Sequence, residues 1–480
     1  MSLLLDLLLD ALTFLLLGLL ALTIIFLVSL YLRGAFRRRP LLDVEHAIAP
    51  TDPRFAQTLK SLAQSQSTTG RVVNFWNQAE DIQQARLAAI KRAQHSIQFE
   101  TFIMTPGKRA QDFATAIAQK ASEGVNVQIM VDSWGTRSLP RKYWHRLQLA
   151  GVRVVFFNPF DWRAPANYAG RTHRKMLIID GEQVLVGGAG ISDLWDGTEK
   201  DDDETSWMDI EFALEGEVVR VIAGIFLSHW ATHKEQGSDS ASTLDMGEIH
   251  PKLESDRPPK PFYSPQPLKE LSKDIGTDIQ QYAATKTEDR DRDEDNATVV
   301  VTPGTKPSYR HSPIEKTKEI LIACARERIW LASPYFLPNN DTRHLLTMAR
   351  KAGVDVRILT TSSKSDKKPV YYASYEVYGS LLREGIQIFE YQPSMIHAKL
   401  LIVDDAWVNT GSANLDYRSY LHNDELDIVT DSKKLIRSIE KVFERGFAHS
   451  EQIGLKQWEQ RSLLKHRVLG NTVRLVQWQL

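Results

Sequence analysis

Apolar residues in this chain form one long run near the N-terminus, followed by short stretches that alternate with polar residues. From Ala11 to Leu32 the sequence ALTFLLLGLLALTIIFLVSLYL contains no charged residue. As a helix it would measure roughly 33 Å, enough to cross the hydrocarbon core of a bilayer. Four arginines follow between positions 33 and 39, whereas two aspartates precede the run. The positive-inside rule therefore predicts that residues 1–40 are a single-pass anchor with the remainder in the cytoplasm, and a cleaved signal peptide is disfavoured because its basic residues would come first.

Two later stretches alternate apolar and polar residues in the manner of half-buried strands. GVRVVFFNP ends at Pro159 and GIQIFEYQP ends at Pro393. A similar sequence precedes each of them: AQHSIQFETFIMTP begins at Ala93 and ARERIWLASPYFLP begins at Ala325. Each copy continues through a helical stretch into another strand pattern. Each copy therefore predicts one α/β unit of the same construction.

A polar segment separates the two units. Residues 235–296 are rich in Ser, Pro, Lys, Asp and Glu, which predicts a flexible linker without a core of its own. The 480 residues then divide into a first α/β domain, 71–234, and a second, 297–480, which ends in a tail that either rests on a membrane surface or packs on the domain. We interpret residues from about Pro40 to Gly70 as a tether.

The composition limits the classes of function. Lys and Arg number 59 and Asp and Glu 60, so the formal net charge is −1, and acidic residues occur in runs such as Asp201–Glu204. The chain has no overall basic character of the kind that binds nucleic acid, and we expect no nucleic-acid partner. Cys324 is the only cysteine, which excludes an intramolecular disulfide and a cysteine metal site.

The spacing His-x-Lys-x-x-x-x-Asp occurs once in each unit. The six residues are the candidate catalytic set: His173, Lys175 and Asp180 in HRKMLIID, and His397, Lys399 and Asp404 in HAKLLIVD. In a strand, residues two apart project to one face, so each His and Lys should point together. Two such units facing each other would form a cationic pocket with two imidazoles. That pocket suits a phosphodiester: the lysines neutralise its oxygens, one imidazole attacks phosphorus, and the other exchanges a proton with the alcohol.

Four carboxylates belong to the two motifs or follow them. Asp180 and Asp404 stand an odd number of positions from their histidines, so we interpret them as turn or ion-pair partners that point away from the pocket. Asp209 and Glu425 occupy comparable later positions and are candidates to fix the histidine tautomers. A metal site is disfavoured because each histidine has an ammonium group two residues away, and we expect neither metal nor cofactor.

In these motifs the chain resembles the phospholipase D superfamily, and most closely its bacterial cardiolipin synthases, from about Arg71 onward except for the linker. Blocks such as SPYFLP and GSANLDYRS support the closer assignment. The resemblance implies two pseudo-symmetric α/β sandwich domains at the cytoplasmic face of a bacterial inner membrane. It also implies transfer of a phosphatidyl group between two phosphatidylglycerol molecules through a phosphohistidine, with release of glycerol.

The resemblance implies further roles for single residues. His173 would be the nucleophile and His397 the general acid and base, although the sequence repeat itself leaves open which histidine attacks. The lysines of the two motifs would bind the phosphate. Three residues of the small-residue turns after the motifs would help to bind it: Ser412, Asn414 and Gly188. Two features depart from the family: Gly190 stands where Asn is common, and one membrane helix is predicted where many relatives have two.

Four other functions fit parts of this pattern. A hydrolytic phospholipase D would pass the same covalent intermediate to water, and another transphosphatidylase would pass it to a different alcohol. A nuclease of the superfamily would bind DNA in a salt-sensitive way, which the acidic runs and the anchor disfavour. A scaffold without activity is disfavoured because both His-Lys pairs are intact.

Overall fold

The computed structural model describes residues 2–32, 47–162, 168–196, 206–241, 296–304 and 312–475. The strands in these ranges are β1 Gln66–Trp76, β2 Ser96–Thr101, β3 Asn126–Asp132, β4 Arg153–Phe157, β5 Arg171–Thr172, β6 Met176–Ile179, β7 Gln183–Gly187, β8 Glu211–Glu215, β9 Ala297–Gly304, β10 Arg328–Ser333, β11 Asp355–Thr361, β12 Gln387–Tyr391, β13 Leu400–Val403, β14 Trp407–Gly411, β15 Asn423–Thr430 and β16 Ser450–Gln452. The α-helices are α1 Ser2–Leu32, α2 Phe55–Ala63, α3 Ala79–Arg92, α4 Lys108–Ser122, α5 Arg141–Leu149, α6 Glu217–Ala241, α7 Pro313–Cys324, α8 Asn340–Lys351, α9 Lys368–Arg383, α10 Tyr417–Leu421, α11 Lys433–Ala448, α12 Leu455–Glu459 and α13 Asn471–Leu475. A 3₁₀ helix covers Asp193–Asp196 and a π-helix covers Leu463–Gly470.

The strands of the two halves follow the same order. Across the sheet the first half is ordered β1-β8-β7-β6-β2-β3-β4, and the second is ordered β9-β15-β14-β13-β10-β11-β12, with β16 at its edge. β1 and β9 pair antiparallel and join the halves, from Gln66 opposite Val301 to Gly70 opposite Ala297. In each half three strands are parallel, β2-β3-β4 and β10-β11-β12. The predicted pair of similar α/β domains is confirmed.

The antiparallel pairing of β6 with β2 sets the position of the first motif. Glu100, near the carboxyl end of β2, lies opposite Met176, the first residue of β6. His173 and Lys175 immediately precede β6, so they lie at the carboxyl edge of the parallel strands, where open α/β sheets place their sites. They occupy an extended segment outside the strand, not the strand that the sequence analysis assumed. The second motif repeats this arrangement before β13.

Apolar side chains of both halves meet in one shared core. It contains Val72 and Phe212 from the first half, Val299 and Ile428 from the second, and the inner faces of α6 and α11. A second core lies between the first-half sheet and helices α3 to α5, and a third lies among the second-half sheet and helices α7 to α9. The halves are therefore packed on each other and not merely linked by the chain.

The segment interpreted as a tether is partly structured, which corrects that interpretation. Phe55, Leu59 and Ala63 of α2 are fully buried against the core of the second half. Their spacing of four residues places them on one helical face, and that face is covered by helix α7. The Trp407 indole also donates a hydrogen bond to the carbonyl of Pro50, at 2.7 Å. The folded part of the chain thus begins before residue 71.

Three other predicted segments can be placed. Helix α6 continues past residue 234 to Ala241, and most of the predicted linker, 242–295, lies outside the described residues. Helix α1 contains a 20-residue stretch, Leu9–Val28, that is long and apolar enough to be a candidate membrane span. The tail packs on the second half, because Trp458 is buried and its indole donates to the carbonyl of Tyr375 at 2.7 Å.

Candidate active site

Each motif histidine is hydrogen-bonded to a carboxylate from the other half of the chain. His173 Nδ1 lies 3.0 Å from Oε2 of Glu425, and His397 Nδ1 lies 2.8 Å from Oδ2 of Asp209. The backbone repeats this exchange: the His173 N–H donates to the carbonyl of Asp424 at 2.8 Å, and the His397 N–H donates across the halves at 2.7 Å. The two motifs therefore form one composite site at the junction of the halves.

The hydrogen bonds define which nitrogen of His173 carries the proton. Its Nδ1 faces two acceptors at 3.0 Å, the Glu425 carboxylate and the carbonyl of Ser412, so Nδ1 is the donor and Nε2 keeps its lone pair. Burial, with the neighbouring Lys175 and Lys399 ammonium groups, holds the pKa of His173 well below its usual range. The ring is therefore neutral near pH 7, as a nucleophile must be.

His397 has the same character. Burial and the ammonium group of Lys399 lower its pKa to about 4, against the opposing effect of Asp209. The pKa of Asp209 would be raised by burial, but His397 and its hydrogen bonds hold it at about 2. Asp209 is thus an anion that accepts a hydrogen bond from Nδ1–H of His397, and it also accepts one from the Trp195 indole at 3.0 Å.

Both motif lysines are buried beside their histidines. Lys175 Nζ donates to the carbonyl of His173 at 2.6 Å, and Lys399 Nζ lies 3.2 Å from Nε2 of His397. Burial lowers the pKa of Lys175 to about 7 and that of Lys399 to about 8. An anion bound between them would offset the cost of burying their charge. The arrangement is one in which a phosphodiester meets two imidazoles and two ammonium groups.

A family model described as "Cardiolipin synthase, PLD-like domain" matches this chain twice, at residues 87–204 and 319–446, once in each half. The chain belongs to this phospholipase D-like family. Cardiolipin synthase 1 of Bacillus cereus is 31% identical over 395 residues, which cover 81% of this chain and 69% of that protein. The cardiolipin synthase of Halalkalibacterium halodurans is 30% identical over 391 residues, covering 81% and 68%.

A solved structure shows the same fold. Phosphatidylserine synthase of Haemophilus influenzae Rd KW20 superposes with a TM-score of 0.58 at 14% identity, covering 89% of this chain and 100% of that one. Together with the family match, these relatives make the chain a phosphatidyltransferase of the phospholipase D type. Each copy of the motif lies within one of the two matched ranges.

The small-residue turns contact the carboxylates that bind the two histidines. The hydroxyl of Ser412 donates to Glu425 at 2.5 Å and accepts the Leu426 N–H at 2.9 Å, so it supports the carboxylate. Gly188 has no side chain because Asp209 needs the space: a Cβ would lie 2.2 Å from its Oδ1. Asn414 is buried, and its Oδ1, a hydrogen-bond acceptor, has no hydrogen-bond partner among the described residues.

Close packing explains why a glycine stands at position 190. A Cβ there would lie 2.2 Å from Cγ2 of Ile103 and 2.8 Å from its carbonyl oxygen, with the Trp195 ring 3.3 Å away. Ile103 and Trp195 therefore occupy the space that a side chain at position 190 would need. This phospholipase D-like site is asymmetric by construction, and a first-half counterpart of Asn414 cannot be accommodated without rearrangement.

The motif aspartates lie away from the site, although their place in the motif made them catalytic candidates. Asp180 accepts the N–H groups of Gln94, His95 and Ser96 at 2.9, 2.7 and 2.8 Å. Asp404 accepts three consecutive N–H groups in the same way, at 2.6 to 2.9 Å, in the segment that enters β10. The interpretation of Asp180 and Asp404 as turn partners agrees with these contacts, which fix the chain at the start of β2 and β10.

Two buried ion pairs that support the site were missed from the sequence. Arg86 binds Glu211 at 2.8 Å and donates to the carbonyls of the first small-residue turn at 2.8 and 2.9 Å. In the second half Lys318 lies 3.2 Å from Asp427 and donates to the carbonyl of Ala413 at 2.7 Å. Glu211 and Asp427 each follow a histidine-binding carboxylate by two positions, a repeat that the sequence shows.

The donor set does not resemble a metal centre. Across the described ranges, no group of three or more His, Cys, Asp and Glu side chains is arranged to hold a metal ion. Each site histidine instead uses Nδ1 on a carboxylate and has a lysine beside it.

Proposed function

We propose that this protein makes cardiolipin by transferring a phosphatidyl group from one phosphatidylglycerol to a second, with release of glycerol. The observation that carries the proposal is the composite site, in which two neutral imidazoles and two buried lysines converge from the two halves. The cardiolipin synthases named above are similar over most of this chain. Phosphatidylglycerol as both donor and acceptor accounts for this product together with the released glycerol.

In the first half-reaction His173 Nε2 attacks phosphorus. A P–N bond forms, the P–O bond to glycerol breaks, and His397 gives a proton to the leaving glycerol oxygen. The Nδ1–H bond to Glu425 compensates the charge that develops on the His173 ring. Lys175 and Lys399 stabilise the charge on the non-bridging oxygens in the transition state.

In the second half-reaction a hydroxyl of another phosphatidylglycerol attacks the same phosphorus. His397 takes its proton, the P–O bond of cardiolipin forms, and the P–N bond breaks. Because His397 gives a proton in the first half-reaction, it must be protonated there, although burial and Lys399 lower its pKa to about 4. A bound phosphodiester anion raises that pKa, because it offsets the two ammonium groups that lower it.

Helix α1 supports a location at the membrane. Its apolar stretch is fully exposed within the structure, as expected for a segment that crosses a bilayer. The arginines after it favour a cytoplasmic catalytic part, on the side where phosphatidylglycerol of the inner leaflet is available. We propose this orientation for the protein in a bacterial cytoplasmic membrane.

The test is to reconstitute the full chain into phosphatidylglycerol vesicles and measure cardiolipin, phosphatidic acid and glycerol together by mass spectrometry. We expect cardiolipin and glycerol in equal amounts. His173→Ala should abolish both products, whereas the matched control His145→Ala, an exposed histidine of α5, should not. Phosphatidic acid without cardiolipin would identify a hydrolase, and activity in His173→Ala would reject the covalent mechanism.

A further inference from the structure

A buried histidine outside both motifs lies directly behind the site. His229 of α6 is 5% exposed and stands between two carboxylates. Its Nδ1 lies 2.8 Å from Oε1 of Glu100, at the end of β2, and its Nε2 lies 3.0 Å from Oδ2 of Asp424, at the start of β15. Glu100 belongs to the first half and Asp424 to the second. The imidazole therefore bridges the halves.

The two carboxylates are tied to the catalytic segment. Glu100 accepts a hydrogen bond from the hydroxyl of Thr172, the residue before His173. Thr172 pairs with Asp424 in the short β5-β15 ladder, and the Asp424 carbonyl accepts the His173 N–H at 2.8 Å. Asp424 in turn precedes Glu425, which binds the His173 ring. The cluster thus fixes the backbone on both sides of the His173–Glu425 pair.

Strand register identifies the corresponding positions at the second motif. Glu100 lies opposite Met176, the first residue of β6, as Ala332 lies opposite Leu400, the first residue of β13. The carbonyl that accepts the His397 N–H belongs to Met208, so Met208 takes the place of Asp424.

Helices α6 and α11 show which residue of the second half corresponds to His229. Phe226 of α6 and Phe443 of α11 are both fully buried in the shared core, and three residues after each come His229 and Gly446. A Cβ at Gly446 would lie 2.4 Å from Leu359. The polar cluster behind His173 is thus replaced behind His397 by methionine, alanine and a glycine packed on leucine.

We propose that His229 is a positioning residue that clamps Glu100 of the first half to Asp424 of the second and thereby sets His173 in register with Glu425, a role confined to the first motif. The effect on catalysis rests on the proposed function, whereas the contacts of His229 do not depend on it. Because each ring nitrogen lies within 3.0 Å of a carboxylate oxygen, the ring is an imidazolium paired with both carboxylates. This cation is separate from the two neutral histidines that do the chemistry.

The surrounding charges agree with that state. Burial alone would lower the pKa of His229, but Glu100 and the hydrogen bond to Asp424 raise it above its ordinary value, against the opposing guanidinium of Arg174. Burial would likewise raise the pKa of Glu100, yet His229 holds it at about 2. His233, one turn along α6, donates to the His229 carbonyl at 2.9 Å and has a lowered pKa through burial. It adds no competing cation at neutral pH.

The test compares His229→Gln with Phe226→Leu in the reconstituted full chain. Both change a buried residue of α6, but Phe226 touches neither carboxylate and lies in the apolar core. We expect His229→Gln to lower kcat by about 10- to 100-fold with KM within about twofold, because a supporting residue acts on geometry more than on binding. Phe226→Leu should lower the melting temperature and leave kcat within about twofold.

A second variant keeps the proposal testable if His229→Gln does not fold. Asp424→Asn removes the charge at the second-half end of the clamp, and we expect the same kcat-specific loss. Equal losses of kcat in His229→Gln and Phe226→Leu, or unchanged kcat in Asp424→Asn, would overturn the proposal. Wild-type protein that makes no cardiolipin would instead reject the proposed function, and the same variants would then be compared by hydrolysis of bis(p-nitrophenyl) phosphate.

Discussion

Restoring a side chain at Gly190 should destabilise the protein and should not add a phosphate ligand. The ideal Cβ at this position lies 2.2 Å from Cγ2 of Ile103. Ordinary carbon contacts are about 3.5 to 4.0 Å, so the Ile103 methyl group must retreat by about 1.5 Å. The carbonyl oxygen of Ile103, at 2.8 Å, belongs to the backbone and cannot rotate away.

The expected magnitude follows from these contacts. Inserting a methyl group into a packed interior costs about 1 to 3 kcal/mol. The loss of glycine freedom in the unfolded chain offsets about 0.4 to 1 kcal/mol of this. The net effect of Gly190→Ala is a destabilisation of up to about 2.6 kcal/mol, which for a domain of this size lowers the melting temperature by up to about 10 °C. Gly190→Asn, the residue common in the family, should cost at least as much.

Thermal melting in detergent, followed by tryptophan fluorescence, measures the effect. The matched control is Gly224→Ala in α6, where a Cβ would have no atom within 4 Å. That change should raise stability by about 0.5 to 1 kcal/mol, because alanine is the better helix residue. Ile103→Ala in the Gly190→Ala background should recover part of the loss. If Gly190→Ala melts as high as Gly224→Ala, the packing explanation of the first motif is wrong.

Three further outcomes are expected. The kcat/KM should fall as pH rises past about 7 and 8, because Lys175 and Lys399 lose the protons with which they bind the anion; a profile flat to pH 10 would contradict this. Glu425→Gln should lower kcat by at least about 100-fold with little change in KM, measured by cardiolipin formation, and a loss in KM alone would refute its role on His173. Asp180→Ala should cost about 1 to 2 kcal/mol in urea denaturation, with kcat retained if the residue is only structural.

Most of the candidate site was predicted from the repeated His-x-Lys-x-x-x-x-Asp motif. The doubled spacing identified both His-Lys pairs, and the comparable positions of Asp209 and Glu425 made them candidates for the histidine partners. That each carboxylate serves the histidine of the other half depends on the β1-β9 junction and on how the two halves face each other. No spacing within one copy contains that information.

Contacts between distant segments account for what the sequence did not reveal. The apolar face of α2 was visible as a four-residue spacing, but the surface that covers it belongs to the second half, more than 200 positions later along the chain. His229 is a single histidine in an apolar helix, and its two carboxylates come from β2 and β15. The sequence shows only that Gly190 replaces the Asn common in the family. The packing of Ile103 and Trp195 against position 190 is a tertiary contact that the sequence does not reveal.

The central claim is that one histidine of the composite site becomes covalently phosphatidylated, and trapping that adduct tests it most directly. The wild-type protein is used, because His397 is needed both to protonate the leaving glycerol and to deprotonate the acceptor hydroxyl. The protein is mixed with phosphatidylglycerol and the reaction is stopped rapidly at alkaline pH. Peptide mass spectrometry should then find the adduct on the peptide that contains His173, and no adduct on that peptide in the His173→Asn control. An adduct on the peptide of His397 in the wild type would reverse the two roles, and full cardiolipin turnover with no adduct on either histidine would contradict the account.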